Sequence, residues 1–171
     1  SQGGVERTTI EIASAIEKAG GKCIVVSSGG ILENDVIRAK ARHIILPVDS
    51  KNPFIMYLNV FRLEKIIKKN NVNIVHARSR APAWSAFVAA KKCGVNFVTT
   101  FHGTYSLGGY FKRRYNSIMT RGQMVIANSN FIAGHIRKNY GVASAKLRII
   151  HRGVDLERFS AKQVTAQRVV G

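Results

Sequence analysis

The chain has 171 residues and a hydrophobic content of 46%, which suits one globular domain with a real core. No run approaches the roughly 18 consecutive apolar residues of a membrane-spanning helix, and the start carries no cleavable signal pattern, so a cytoplasmic location is expected. Lysine and arginine number 27 against 9 aspartates and glutamates, a formal charge of +18, and such a field favours anionic partners: nucleic acid, an anionic lipid surface or a phosphorylated substrate.

Ser1-Gln2-Gly3-Gly4 reads as a glycine-rich turn opening into a helix from Val5 to about Lys18. Val5, Thr9, Ile12, Ile16 and Ala19 recur at helical spacing and predict its buried face, and Gly20-Gly21 caps its end. Such a turn normally follows a buried parallel strand and points backbone N–H groups at an anion. No strand precedes it in the sequence, so the unit is expected to lack its first strand. The short apolar run Cys23–Val26 predicts a strand covered on both faces, residues 31–41 a short helix, and His43–Leu46 another strand stopped by Pro47. Residues 53–69 predict a long amphipathic helix with Phe54, Leu58, Phe61, Ile66 and Ile67 on one side and cations near its end.

A strand follows at Asn73–Ala77, a small-residue helix at Ala83–Lys92 after Pro82, and a strand at Asn96–Phe101. Next come a basic helix at Tyr110–Met119, a strand at Met124–Ala127, a helix at Phe131–Tyr140 ended by Gly141, and a strand at Leu147–Ile150. Cys23 and Cys93 read as buried reduced thiols. Unbroken alternation of strands and helices predicts an α/β fold: a Rossmann-like, doubly wound parallel sheet with helices on both faces.

In such sheets ligands bind beyond the carboxyl ends of the strands, where strand order reverses. Three loops should converge there: Ser1–Glu6, Arg78–Pro82 and His102–Gly109. The first offers glycine amides, with Gly3 and Gly4 either contacting an anion or making a tight turn. The second offers Arg78, Ser79 and Arg80, whose arginines are either ligand contacts or solvated charges. The third offers His102, Gly103, Thr104 and Tyr105, and Gly103 lets the backbone pass close to a ligand. His76, inside a strand, reads as a satisfied core histidine, and His43, His135 and His151 carry no site logic. No Cys-x-x-Cys, His-Glu-x-x-His or Walker loop is present, so no metal site is expected and ATP hydrolysis is disfavoured.

An ordered set of segments then points to a family: Gly-Gly-Val-Glu-Arg-Thr (3–8), His-Ala-Arg-Ser-Arg-Ala-Pro-Ala-Trp (76–84), Thr-Thr-Phe-His-Gly-Thr-Tyr (99–105), Ala-Asn-Ser-Asn-Phe-Ile (127–132) and His-Arg-Gly-Val-Asp-Leu-Glu-Arg-Phe (151–159). Together they resemble the N-terminal half of family-4 (group 1) glycosyltransferases of the GT-B fold. The resemblance implies transfer of a sugar from a nucleotide sugar with retention and without a metal or other cofactor, between two Rossmann-like domains. The N-terminal domain mainly binds the acceptor. It further implies His102 beside the reacting sugar, and donor contacts from Gly3, Gly4, Arg152, Gly153 and Asp155. Arg78, Ser79, Arg80, Gly103, Thr104 and Tyr105 would lie on the acceptor side. His151-Arg152 stands where the family commonly has Pro-Asn.

On this resemblance residues 1–155 form the N-terminal domain and 156–171 open an interdomain linker or a frayed tail. The C-terminal donor domain and its Glu-x7-Glu motif are absent from the sequence, and the chain alone is expected to transfer little sugar. Its partners would be a nucleotide sugar and a glycan or lipid-linked acceptor, in lipopolysaccharide or other cell-envelope glycan synthesis. Tyr110-Phe111 beside Lys112-Arg113-Arg114 describes either a helix lying peripherally on the inner face of the cytoplasmic membrane or a core helix with a solvated basic face. Two other functions fit parts of the sequence. One is another Rossmann-like nucleotide-sugar enzyme, such as an epimerase. The other is a basic nucleic-acid-binding module, although no nucleic-acid signature appears.

Overall fold

A computed structural model describes residues 4–30 and 33–153. Helix α1 (Gly4–Lys18) is followed by strand β1 (Ile24–Ser27), helix α2 (Glu33–Arg38) and strand β2 (Arg42–Ile45). The α1–β1 turn closes through Gly20, whose φ of 82° is left-handed, and through the Gly21 N–H donating to the Ile16 carbonyl. Strands β1 and β2 pair in parallel. Ala13, Val36 and Ala41 form the small core of this pair, with Ile10, Cys23 and Val25 packed on it. The face expected on α1 is therefore turned by about one residue: Ala13 is buried, while Ile16 stays 39% exposed. Helix α1 has only this narrow three-residue core to cover, so one small side chain suffices.

The larger part runs through α3 (Pro53–Lys69), β3 (Ile74–Ala77), α4 (Arg80–Cys93), β4 (Asn96–Phe101), α5 (Tyr110–Asn116), β5 (Met124–Ala127), α6 (Asn130–Tyr140) and β6 (Leu147–Ile149). Helix α5 continues as a tight turn over Ser117–Thr120 and does not run on as α-helix to Met119. Strands β3, β4, β5 and β6 pair in that order, all in parallel. Among the described residues no ladder joins β1 to β3, so the two sheets meet without backbone pairing. The α/β architecture with parallel sheets is the one that the alternating pattern predicts.

The main core is built on β4 and β5. Phe97, Thr99 and Phe101 of β4, Val125 and Ala127 of β5, Ile118, Met119 and Ile136 are fully buried. The Thr99 hydroxyl donates to the Met119 carbonyl, which lets a polar side chain sit in that core. Helix α4 carries buried Ala83, Ala86, Ala89 and Ala90, small enough for α3 to approach closely. Helix α3 buries Asn59, Val60, Leu63 and Ile67. Of the side expected to be buried, Ile67 is buried and Leu58 and Ile66 are half-buried, whereas Phe54 is 68% and Phe61 44% exposed. Tertiary bonds set which of its apolar side chains turn inward. The Asn59 amide donates to the Pro47 carbonyl at 2.8 Å, and the Ser85 hydroxyl of α4 donates to the Met56 carbonyl at 2.9 Å. Helix α4 also begins three residues earlier than expected, at Arg80, because Pro82 is tolerated within a first turn as well as at its opening.

Gly122 lies in the turn before β5, where an added Cβ would fall 2.7 Å from the Phe97 carbonyl oxygen and 2.9 Å from that of Met124. Both are sheet backbone and cannot move aside cheaply. Gly122→Ala is expected to destabilise the fold by about 1–3 kcal/mol, read as a lower denaturation midpoint. Unchanged stability would show that the turn yields.

Candidate functional site

Parallel pairing places the carboxyl ends of β3, β4 and β5 along one edge. Arg78 follows the last residue of β3, and His102 the last residue of β4. The Ile150 N–H donates to the Ala127 carbonyl at 2.9 Å, which carries the chain after β6 to the same edge and delivers Arg152. An Arg152 Nη2 hydrogen bonds His102 Nδ1 at 3.0 Å. Arg152 also lies against Gly4, where an added Cβ would fall 2.9 Å from its Nη1. The amino end of α1, Arg152 and His102 are thus in contact across distant parts of the chain. Arg78 joins them electrostatically, since its charge and that of Arg152 both act on His102.

The bond from Arg152 fixes the state of His102. A guanidinium only donates, so Nδ1 accepts and the ring proton sits on Nε2. That Nε2–H is buried and has no hydrogen-bond partner among the described residues. Burial holds the His102 pKa down at about 4, helped by the charges of Arg78 and Arg152, so the ring is neutral near pH 7. The main chain is held too, because Asn128 Nδ2 donates to the His102 carbonyl at 3.1 Å. Its neighbour His76 is likewise neutral, lowered to about 4 by burial first and Arg78 second, and hydrogen bonds the Thr100 hydroxyl at 2.7 Å. His76 is the satisfied core histidine that its place in a strand suggests.

Arg80 and Tyr105, expected on the acceptor side, are committed to each other. The Arg80 guanidinium carbon lies 4.5 Å from the centre of the Tyr105 ring, and that ring packs 5.0 Å from Phe101. Desolvation pushes the Tyr105 phenol up to about 12. Arg80 Nη1 also donates to Asn116 Oδ1 at 2.9 Å, while Asn116 Nδ2 donates to the Ser106 carbonyl at 3.0 Å. Asn116 is 0% exposed. One buried amide therefore ties α4 to the loop that follows His102, and Arg80 and Tyr105 position that loop. Ser79 and Thr104 are exposed, Gly103 is half-buried, and Gly153 is exposed with open space around it. Gly3 and Asp155 lie outside the described residues.

Sequence reasoning missed Asn116 and Asn128 as site-forming residues. Asn128 belongs to the Ala-Asn-Ser-Asn segment, which marked it without giving it a task. Asn116 carried only the signal of an amide next to the apolar pair Ile118-Met119. Among the described residues no group of three or more histidines, cysteines or acids could hold a metal ion.

The family model described as "Glycosyltransferase Family 4" matches residues 2–158. Among solved structures, a glycosyltransferase from Rickettsia africae ESF-5 superposes with a TM-score of 0.83 at 42% identity, over 96% of this chain and 45% of its own. Anabaena HepE in complex with UDP-glucose superposes with a TM-score of 0.74 at 15% identity, over 98% of this chain and 46% of its own. The lipopolysaccharide outer core galactosyltransferase WaaB gives 0.67 at 16% identity, over 91% of this chain and 43% of its own. The two distant likenesses concern the fold alone. No curated protein matches. The chain spans slightly under half the length of each of these three structures.

Two outcomes follow from the geometry. Asn116→Ala leaves Arg80 without its acceptor and the Ser106 carbonyl without its donor. It should cost about 1–3 kcal/mol and raise hydrogen exchange in residues 103–109 above that of the sheet; unchanged exchange would separate the amide from the loop. For pH, His76 and His102 have folded pKa values near 4 against an ordinary 6.5. Between those values the unfolded chain binds more protons, so stability is full above pH 6.5 and falls as pH drops towards 4. His76→Gln should flatten that slope in denaturation midpoints collected across this window, and an equal slope in the variant would rule out His76 as a source.

Proposed function

The chain belongs to glycosyltransferase family 4, and on that premise we propose that it forms the acceptor-binding wall of a retaining, nucleotide-sugar-dependent transferase. The observation that carries this is the contact of Arg152 with His102 and Gly4, beside Arg78, at the carboxyl edge of the sheet. In the reaction an acceptor hydroxyl oxygen bonds to the anomeric carbon of the donor sugar, the bond from that carbon to the nucleoside diphosphate breaks, and the hydroxyl proton passes to the departing diphosphate oxygen. His102 offers a neutral Nε2–H and has its Nδ1 occupied. It therefore donates a hydrogen bond to a hydroxyl of the reacting sugar and does not remove a proton. The backbone at Gly4 and the Arg152 guanidinium face the donor side, where Gly3, Gly153 and Asp155 are also assigned. Arg78, Ser79, Gly103 and Thr104 face the acceptor, over a loop braced by Arg80 and Tyr105.

The reaction is proposed to be metal-independent. Arg78 and Arg152 make this edge positive, which attracts a diphosphate and repels a divalent cation. The domain is proposed to comprise residues 1–155, with 156–171 belonging to the linker that follows. The donor-binding wall is a second domain of the kind that the longer relatives have room for. A UDP-sugar donor is favoured by the UDP-glucose complex of HepE, and an envelope glycan acceptor by the substrate named for WaaB. An acceptor of that kind suits work at the inner face of the cytoplasmic membrane. Tyr110 and Phe111 are 73% and 86% exposed beside Lys112, Arg113 and Arg114, the amphipathic chemistry of a helix that rests on an anionic bilayer. Among the described residues no helix is long and apolar enough to cross a membrane.

The test joins residues 1–155 to the downstream half of the Rickettsia glycosyltransferase and assays transfer from UDP-sugars, with and without a chelator. The 171-residue chain alone should transfer negligibly. The chimera should transfer with the chelator present, and His102→Ala should lower its kcat by about 10²–10³, the usual cost of losing one donor aimed at developing charge. Full activity in the His102→Ala chimera, or activity that needs added metal, would refute the proposal.

A further inference from the structure

Among the described residues Arg78 is a charge with no bonded counter-charge. Its Nε, Nη1 and Nη2 are all buried, and none of them has a hydrogen-bond partner. Burial lowers its pKa to about 10, so the guanidinium remains protonated near neutral pH. Arg152 adds to the positive field, and His76 and His102 are neutral. Among the described residues one acid acts on Arg78, Glu11, and it does so through space while its own carboxylate lies 3.7 Å from Arg7. An ion held out of water with five unmet N–H donors is far costlier than an unmet neutral group. Sugar hydroxyls alone would leave that charge unbalanced. A carboxylate would balance one of the two arginines, whereas a phosphate monoester dianion balances both and matches the planar fork of a guanidinium.

We propose that the acceptor held on this wall carries a phosphate group, gripped by Arg78. This rests on the acceptor-wall function proposed above. Arg152 keeps its hydrogen bond to His102 and contributes its charge to the positive field that draws the phosphate to Arg78. Arg80, with Asn116 and Tyr105 as partners, takes no part in the grip. Ser79, exposed and without a capping bond to α4, can add its hydroxyl to the same phosphate.

The test is calorimetric titration of the full chain with glucose 6-phosphate, inorganic phosphate, glucose and UDP. Glucose 6-phosphate should bind saturably and more weakly at high salt, inorganic phosphate should compete with it, and glucose should not bind. Arg78→Gln should weaken glucose 6-phosphate at least about tenfold, the loss typical of a charge-assisted bond; Arg152→Gln should weaken it less. If Arg78→Gln fails to fold, Arg78→Lys decides: it keeps the charge and loses the fork, so a tenfold loss supports the grip and unchanged affinity overturns it. Equal binding of glucose and glucose 6-phosphate would also overturn it. So would displacement of glucose 6-phosphate by UDP with Arg78→Gln losing both alike, which would make the anion the donor's diphosphate. Transfer by the chimera is scored separately. Activity without phosphate binding sinks this inference alone, and phosphate binding without activity sinks the transferase reading.

Discussion

Parallel pairing of β3, β4, β5 and β6 is the constraint on which the site depends. It sends every strand-to-helix connection to one edge, so residues far apart in sequence arrive there together without any contact of their own to draw them. The Ile150 N–H on the Ala127 carbonyl extends that edge past β6 and brings Arg152 within 3.0 Å of His102. A one-residue slip of β4 against β5 would turn Phe97, Thr99 and Phe101 out of the core and carry His102 with them. The full burial of Phe97 and Phe101 is therefore what holds His102 in place.

The chemistry at the edge comes from placing cations where water is scarce. Burial alone would leave His102 neutral with either tautomer open, and the donor from Arg152 selects one. Burial alone would also make Arg78 a liability, because nothing acidic among the described residues is bonded to it. These features share a cause: the loops that form the edge bring arginine and histidine and almost no acid, and the excess of positive charge in the whole chain provides no local correction. Such an edge is at rest when an anion fills it.

Two kinds of polar residue meet at the site and do different work. Arg78 and His102, at the strand ends, have unmet donors among the described residues, whereas Arg80, Tyr105 and Asn116 satisfy one another. The two arginines of the Arg-Ser-Arg segment look equivalent by type and spacing. Arg80 falls in the first turn of α4, which swings it over Tyr105 and towards Asn116, and Arg78 stays at the strand end.

The order of strands and helices, the glycine caps and the loops that gather at one edge are legible in the residues themselves, because hydrophobic period, turn chemistry and the handedness of parallel crossovers are local or nearly so. The family is legible for a related reason: its motifs lie on the loops that this topology brings together. The buried face of α3 is legible only in part: Ile67 is buried as expected, but Phe54 and Phe61 are as apolar as Val60 and Leu63, and bonds from Asn59 to Pro47 and from Ser85 to Met56 decide between them. The tautomer of His102, the isolation of Arg78 and the bracing role of Asn116 are decided by tertiary contact alone. Each depends on which partner lies within about 3 Å, and a distance between residues dozens of positions apart is fixed only when the chain is packed.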